Sequence, residues 1–252
     1  MVACKFVLLP AALASLAAAL PTLVSRDYAG APDVVSGPGA AWYQANFSNG
    51  VTTAFPGYQC YHGQVSQYPP ISRWLSFTKM WSLNAPIILS KNNGNQQYVN
   101  DIYSAITSVS VAAKVDARLI LAIVMQESTG QADVPCTGNG NCGIMQGPIG
   151  TQQLNPADAV HSIKQMVLDG VQGTSQAPGY AQYMGTGLTW VNNLFPGNPY
   201  AAARAYNSGN IDPSGNLDTM VWGTKSYSND IGNRLLGWLN DAPSDPFYAN
   251  CV

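Results

Sequence analysis

Of the thirteen acidic residues in this chain, twelve are aspartates and one, Glu127, is a glutamate. It closes the run Ala117 to Gln126, which is almost wholly apolar. Counting back three, four and seven residues from Glu127 gives Val124, Ile123 and Ile120, so a helix here puts the carboxyl group on an apolar stripe. It also puts the group at the helix C-terminus, the negative end of the macrodipole, where a second negative charge is disfavoured. Desolvation and dipole both raise a carboxyl pKa. A carboxylic acid still protonated near neutral pH can give its proton to a leaving oxygen, as a glycosidase requires. The bland alternative is a surface glutamate with its head in water. That alternative leaves unexplained why the sole glutamate stands in an electrostatically poor place while aspartate serves everywhere else.

The cysteines are the other reactive side chains. Cys4 lies in a leader-like segment, which leaves Cys60, Cys136, Cys142 and Cys251. Four cysteines in a secreted chain point to two disulfides, with three connectivities open. Cys136 and Cys142 flank a Gly/Asn loop that can close a small ring, and Cys60 would then pair with Cys251. A zinc site competes for these residues, but there is no CxxC pair and only His62 and His161 could join it. A cysteine-nucleophile amidase using Cys142 and His161 is a further alternative, opposed by the even cysteine count. No metal and no cofactor is expected.

These residues must be positioned by helices. Tyr98, Ile102, Ala105, Val109 and Ala112 recur at three or four residues. Asp116 is a good N-cap for the helix that ends at Glu127. Asn155-Pro156 signals another start, with Val160, Ile163 and Val167 as its stripe and Gly170 as its stop. Asn198-Pro199 repeats that signal before Tyr200 to Tyr206. Ile231, Leu235, Trp238 and Leu239 mark a last helix. Gly/Asn-rich loops are expected at 129–143, 170–179 and 207–216, with at most a small β-hairpin near 130–145. Residues 40–95 carry many aromatics, including Trp42, Phe47, Tyr61, Tyr68, Trp74 and Phe77, with a short helix at 72–83. Their spacing fits an irregular wrap packed on the core better than a sugar-stacking platform. The fold class is mainly α, with long loops.

Three segments now stand in order: Glu127-Ser128 after an apolar helix, Gly143-Ile144-Met145-Gln146, and Ala205-Tyr206-Asn207-Ser208-Gly209. Together they resemble the soluble lytic transglycosylase (SLT) and goose-type lysozyme-like superfamily, in a secreted, eukaryotic-looking branch. The resemblance covers roughly residues 97–240 and implies a lysozyme-like helical domain. It implies that Glu127 is the catalytic acid and then base, and that Tyr206 holds its carboxyl group through the phenol hydroxyl. Gln146 and Asn207 would line a sugar cleft, with Met145 packed under the turn that Gly143 permits. Ser128 is expected to bond nearby backbone. Ile144 replaces the usual leucine, and the loop before Gly143 carries the cysteine ring. The implied reaction is cleavage of a β-1,4-linked N-acetylated amino-sugar polymer, peptidoglycan or chitin. One glutamate would work alone to form a 1,6-anhydro product, or Asp133 would position water for hydrolysis. The competing class is a non-catalytic wall-binding or effector protein on the same fold.

Bulk properties agree with an extracellular sugar-handling protein. Charged residues are 10% of the chain, against ~25% in ordinary soluble proteins. Net charge is −2 and no basic run occurs, which excludes a nucleic-acid binder. Lys5 followed by the apolar run Phe6 to Ala19 has the pattern of a secretory signal peptide at 1–19. Residues 20–39 read as a pro-segment or flexible arm, 40–95 as the aromatic-rich extension and 96–252 as the SLT domain. The mature protein is expected to be a secreted monomer that binds a polysaccharide and leaves the membrane once the signal is removed. Asn46-Phe47-Ser48 is a glycosylation sequon.

Overall fold

The computed structural model describes residue 28 and residues 30–185, 188, 191, 194–239 and 248–251. The expected signal peptide lies outside these residues. Seven α-helices position the site: α1 Phe77–Lys91, α2 Gln96–Ala113, α3 Ala117–Glu127, α4 Ala159–Gln172, α5 Tyr180–Met184, α6 Pro199–Ser208 and α7 Tyr227–Leu236. No strand forms among the described residues. The hairpin region holds a single antiparallel bridge between Cys142 and Gly147. The mainly helical, long-looped architecture expected from the sequence is the one observed.

Helix α3 is the axis of the core. Every residue from Ala117 to Met125 is buried, because α7, α2 and α1 pack around it. An all-round apolar helix can only be stable in such a place. Burying each of its Ile, Leu and Val side chains stabilises the fold by about 1.5–3 kcal/mol. Its start is set by Asp116, whose carboxylate accepts from the Arg118 amide at 3.0 Å and from Arg118 Nε at 2.8 Å. Asn198 caps α6 in the same way, accepting from the Tyr200 amide at 2.9 Å and the Ala201 amide at 3.2 Å.

The aromatic extension is a wrap. Trp74, Phe77, Tyr61 and Tyr68 are all buried. Trp42 stacks on Trp74 at 5.5 Å between centroids, and Tyr68 stacks on Tyr200 of α6 at 4.6 Å. Backbone from this segment is strapped to α7. The Gln59 amide donates to Asn233 Oδ1 at 2.7 Å, and the Gln59 carbonyl accepts from the side chains of Asn229 (2.7 Å) and Asn233 (2.9 Å). These two asparagines are four residues apart, so they share one face of α7 and bracket the backbone of one residue.

Several element boundaries differ from the sequence expectation. Helix α1 begins at Phe77, where Ser76 accepts from the Lys79 amide, and runs to Lys91 rather than Leu83. The buried stripe of α2 is Val99, Ile102, Ala105, Ile106 and Val109; Tyr98 and Ala112 are half-buried. Val160, in the first turn of α4 just after the 3-10 turn Pro156–Asp158, is exposed. Gly170 does not stop α4. It lies inside the helix because Met145 packs there: a Cβ at Gly170 would stand 2.7 Å from that of Met145.

Candidate active site

Glu127 is the last residue of α3. The residue is half-buried, but its carboxyl group is enclosed by protein, and burial lifts its pKa to about 7. Two groups oppose the rise. Tyr227 donates its hydroxyl to Oε1 at 2.5 Å, and the Arg234 guanidinium attracts the carboxylate. Desolvation is the largest of the three influences. Arg234 is itself held by Gln126, whose Oε1 accepts from Arg234 Nε at 2.8 Å, and Gln126 Nε2 donates to Asp230 at 3.0 Å. Asp230 also accepts from Tyr58 and Ser226. A buried polar network thus links the end of α3 to α7 beside the carboxyl group.

The turn at 143–146 is joined to the same helix end. Ser128 Oγ donates to the Ile144 carbonyl at 2.7 Å and accepts from the Gly130 amide at 3.1 Å. The expected backbone role of Ser128 is therefore what the structure shows. Gly143 has φ +70°, and a Cβ there would strike Met166 at 2.8 Å. Met145 is fully buried beneath the turn. Gln146 also has a positive φ, +42°, a conformation that a non-glycine residue adopts at a cost and that clusters at functional sites. Its Nε2 donates to the carbonyls of Pro135 (3.2 Å) and Gly143 (3.1 Å).

Tyr206 does not hold Glu127. Its hydroxyl donates to the Met145 carbonyl at 2.9 Å, so it fixes the turn from α6, while remaining close enough to feel the Glu127 charge. The phenol that bonds Glu127 is Tyr227, on α7. Sequence reasoning missed it, although Tyr227, Ile231 and Leu235 are spaced by four and all lie buried on one face. Asn207 also does more than face a cleft. Its Oδ1 accepts from the Thr224 amide at 2.7 Å and from Arg204 Nη2, and this pins the 217–225 loop to α6. Gln146, Tyr206 and Asn207 nonetheless line one recess.

Asp133 is exposed and accepts from Gln131 Nε2. Both expected disulfides are present, Cys60–Cys251 and Cys136–Cys142. Cys142 therefore has no thiol to act as a nucleophile, and the cysteine amidase alternative falls. No helix among the described residues is long and apolar enough to cross a membrane.

Residues 104–219 match the family model of the transglycosylase SLT domain. Neither a curated protein nor a solved structure matches the chain. The matched stretch holds Glu127, the 143–146 turn and the 205–209 segment, and it ends before Tyr227. With the mainly helical fold around it, the match supports placing this part of the chain in the SLT, lysozyme-like superfamily.

Proposed function

We propose that the protein is a secreted lytic transglycosylase that cleaves β-1,4-linked N-acetylated amino-sugar polymers, with Glu127 as acid and then base. The observation that carries this reading is the carboxyl group of Glu127: buried at the end of α3, lifted to about 7 and oriented by Tyr227. Tyr227 donates to Oε1, so the acid proton resides on Oε2. From there it passes to the glycosidic oxygen as the bond to the anomeric carbon breaks. Burial also keeps Tyr227 protonated, far above the ordinary tyrosine range, so it acts as a donor throughout. Asp133, exposed and engaged with Gln131, is poorly suited to hold an attacking water. This favours completion by the substrate's own C6 hydroxyl over hydrolysis: it adds to the anomeric carbon, directly or after transient capture by the N-acetyl oxygen, and gives its proton back to the Glu127 carboxylate. The two disulfides fit secretion, with residues 1–19 as signal and 96–252 as the catalytic domain.

Glu127→Gln keeps the shape of the side chain and loses the proton. It is expected to fold normally and to lose at least ~10²-fold in kcat, the low end for general acid catalysis. Turnover near that of the wild type would reject the assignment. Mass spectrometry of the products decides the chemistry: a 1,6-anhydro end supports transglycosylation, and a reducing end supports hydrolysis.

A further inference from the structure

We propose that the Cys136–Cys142 ring is a recognition element: it walls a neutral, amide-lined pocket for an uncharged N-acetylated sugar unit, which makes the preferred polymer of the chitin type. This rests on the glycan-cleaving reading above and names its substrate class. The pocket is a recess of about 280 Å³ between the ring and the C-terminal end of α6. That is close to the lower end of the ~300–1,000 Å³ of small-ligand sites, a size for one sugar unit. Four amide-bearing residues line it, Asn139 and Asn141 from the ring, Gln146 from the turn and Asn207 from α6.

The wall is built before any ligand arrives. The disulfide closes the ring, the Thr137 amide donates to the Asn141 carbonyl at 2.9 Å and the Gly140 amide to the Thr137 carbonyl at 2.9 Å. Paired backbone bonds between Cys142 and Gly147 then fasten the ring to the turn that carries Gln146. Such preorganisation reduces the ordering cost of binding. Gln146 is 8% exposed, its Nε2 is spent on two carbonyls, and its buried Oε1 meets no protein donor among the described residues. An acceptor left without a protein donor gains from one supplied from outside, a water, an amide N–H or a sugar hydroxyl, once the side chain turns toward the recess. The side chains of Asn139 and Asn141 make no hydrogen bond among the described residues and are free to meet a ligand.

Among the described residues no charged side chain lines the pocket. Arg204, the cation behind Asn207, is fully buried and donates inward, to Asn207 and to the Leu217, Thr224 and Lys225 carbonyls. A carboxylate entering the recess would lose hydration without gaining a cation. Amides complement the N-acetyl and hydroxyl groups of an uncharged sugar, and they offer nothing equivalent for the carboxylates of peptidoglycan, those of the stem peptide or, where the peptide is missing, of the lactyl group.

The test uses full-length Glu127→Gln protein, which binds without turnover, and calorimetry with two probes. One is the N-acetylglucosamine tetramer; the other is a peptidoglycan tetrasaccharide of equal length that carries its carboxylates. Tighter binding of the uncharged probe is expected. Asn139→Ala with Asn141→Ala is expected to weaken that binding roughly tenfold, the loss of about two neutral hydrogen bonds, with unfolding midpoint unchanged. Equal or tighter binding of the anionic probe, or undiminished binding by the double variant, would overturn the inference. Cleavage of both polymers by wild-type protein is measured alongside. If the wild type cleaves while the binding arms fail, the inference alone is wrong. If neither polymer is bound or cleaved, the underlying reading falls too.

Discussion

Tyr227 pulls the Glu127 pKa down while burial pushes it up, and the two influences can be separated. In Tyr227→Phe the phenol donor is gone, so the carboxyl pKa should rise beyond about 7. The alkaline limb of the kcat/KM profile should then move to higher pH. Tyr206→Phe removes a bond to the Met145 carbonyl instead and should leave the limb in place. A limb that moves with Tyr206 and not with Tyr227 would reverse the assignment. The same group links pH to stability. Its folded pKa lies above the unfolded value of 4.5, so the folded state favours the neutral acid. That contribution is complete below about pH 4.5, is lost as pH rises through about 7, and amounts to about 3 kcal/mol. The difference in urea unfolding free energy between wild type and Glu127→Gln should therefore grow in favour of the variant across that window. A pH-independent difference would mean that the carboxyl group is not desolvated.

Helix α7 brings Tyr227, Asp230 and Arg234 to the end of α3, and the asparagine bracket around Gln59 holds α7 in place. Asn233→Ala leaves the half-buried Gln59 amide without its acceptor and should cost about 1 kcal/mol or more. The urea midpoint would report this, and activity would fall as Tyr227 loses its alignment. These contacts also explain what could be read from the sequence. Glu127 was legible because its chemistry is local: a lone glutamate, an apolar stripe and a helix end within eleven residues. The starts at Asp116 and Asn198 were legible for the same reason, since a cap involves only its own next two or three residues. Tyr227 was not, because its partner is 100 residues away and no local pattern marks a phenol as a donor. Gly170 read as a stop because its other reason for being glycine, the approach of Met145, is a contact from another segment. The one-residue shift on α2 has a similar origin, since the packing of α4 decides which side of a broad apolar face is covered.

Across the whole molecule the two disulfides differ in what they restrain. Cys60–Cys251 joins residues 191 apart, while Cys136–Cys142 spans six. Loop-closure entropy then assigns about 5 kcal/mol to the long bridge and about 2 kcal/mol to the ring. Cys60→Ala with Cys251→Ala should lower the unfolding midpoint by considerably more than Cys136→Ala with Cys142→Ala. Equal losses in the two variants would show that the long bridge restrains little of the unfolded chain. The bracket around Gln59 carries a further consequence, for biogenesis. Tyr58, Gln59 and Tyr61 have their hydrogen-bond partners 168–174 residues downstream. A chain emerging N-terminus first must carry this aromatic segment without its native partners until residues 229–233 have been made. Docking of this segment therefore waits for α7, and until then the nascent protein presents apolar surface to whatever chaperones line its route. Tyr227, the partner of Glu127, arrives with the same helix, so a chain synthesised only as far as α6 holds Glu127 without the phenol that orients it.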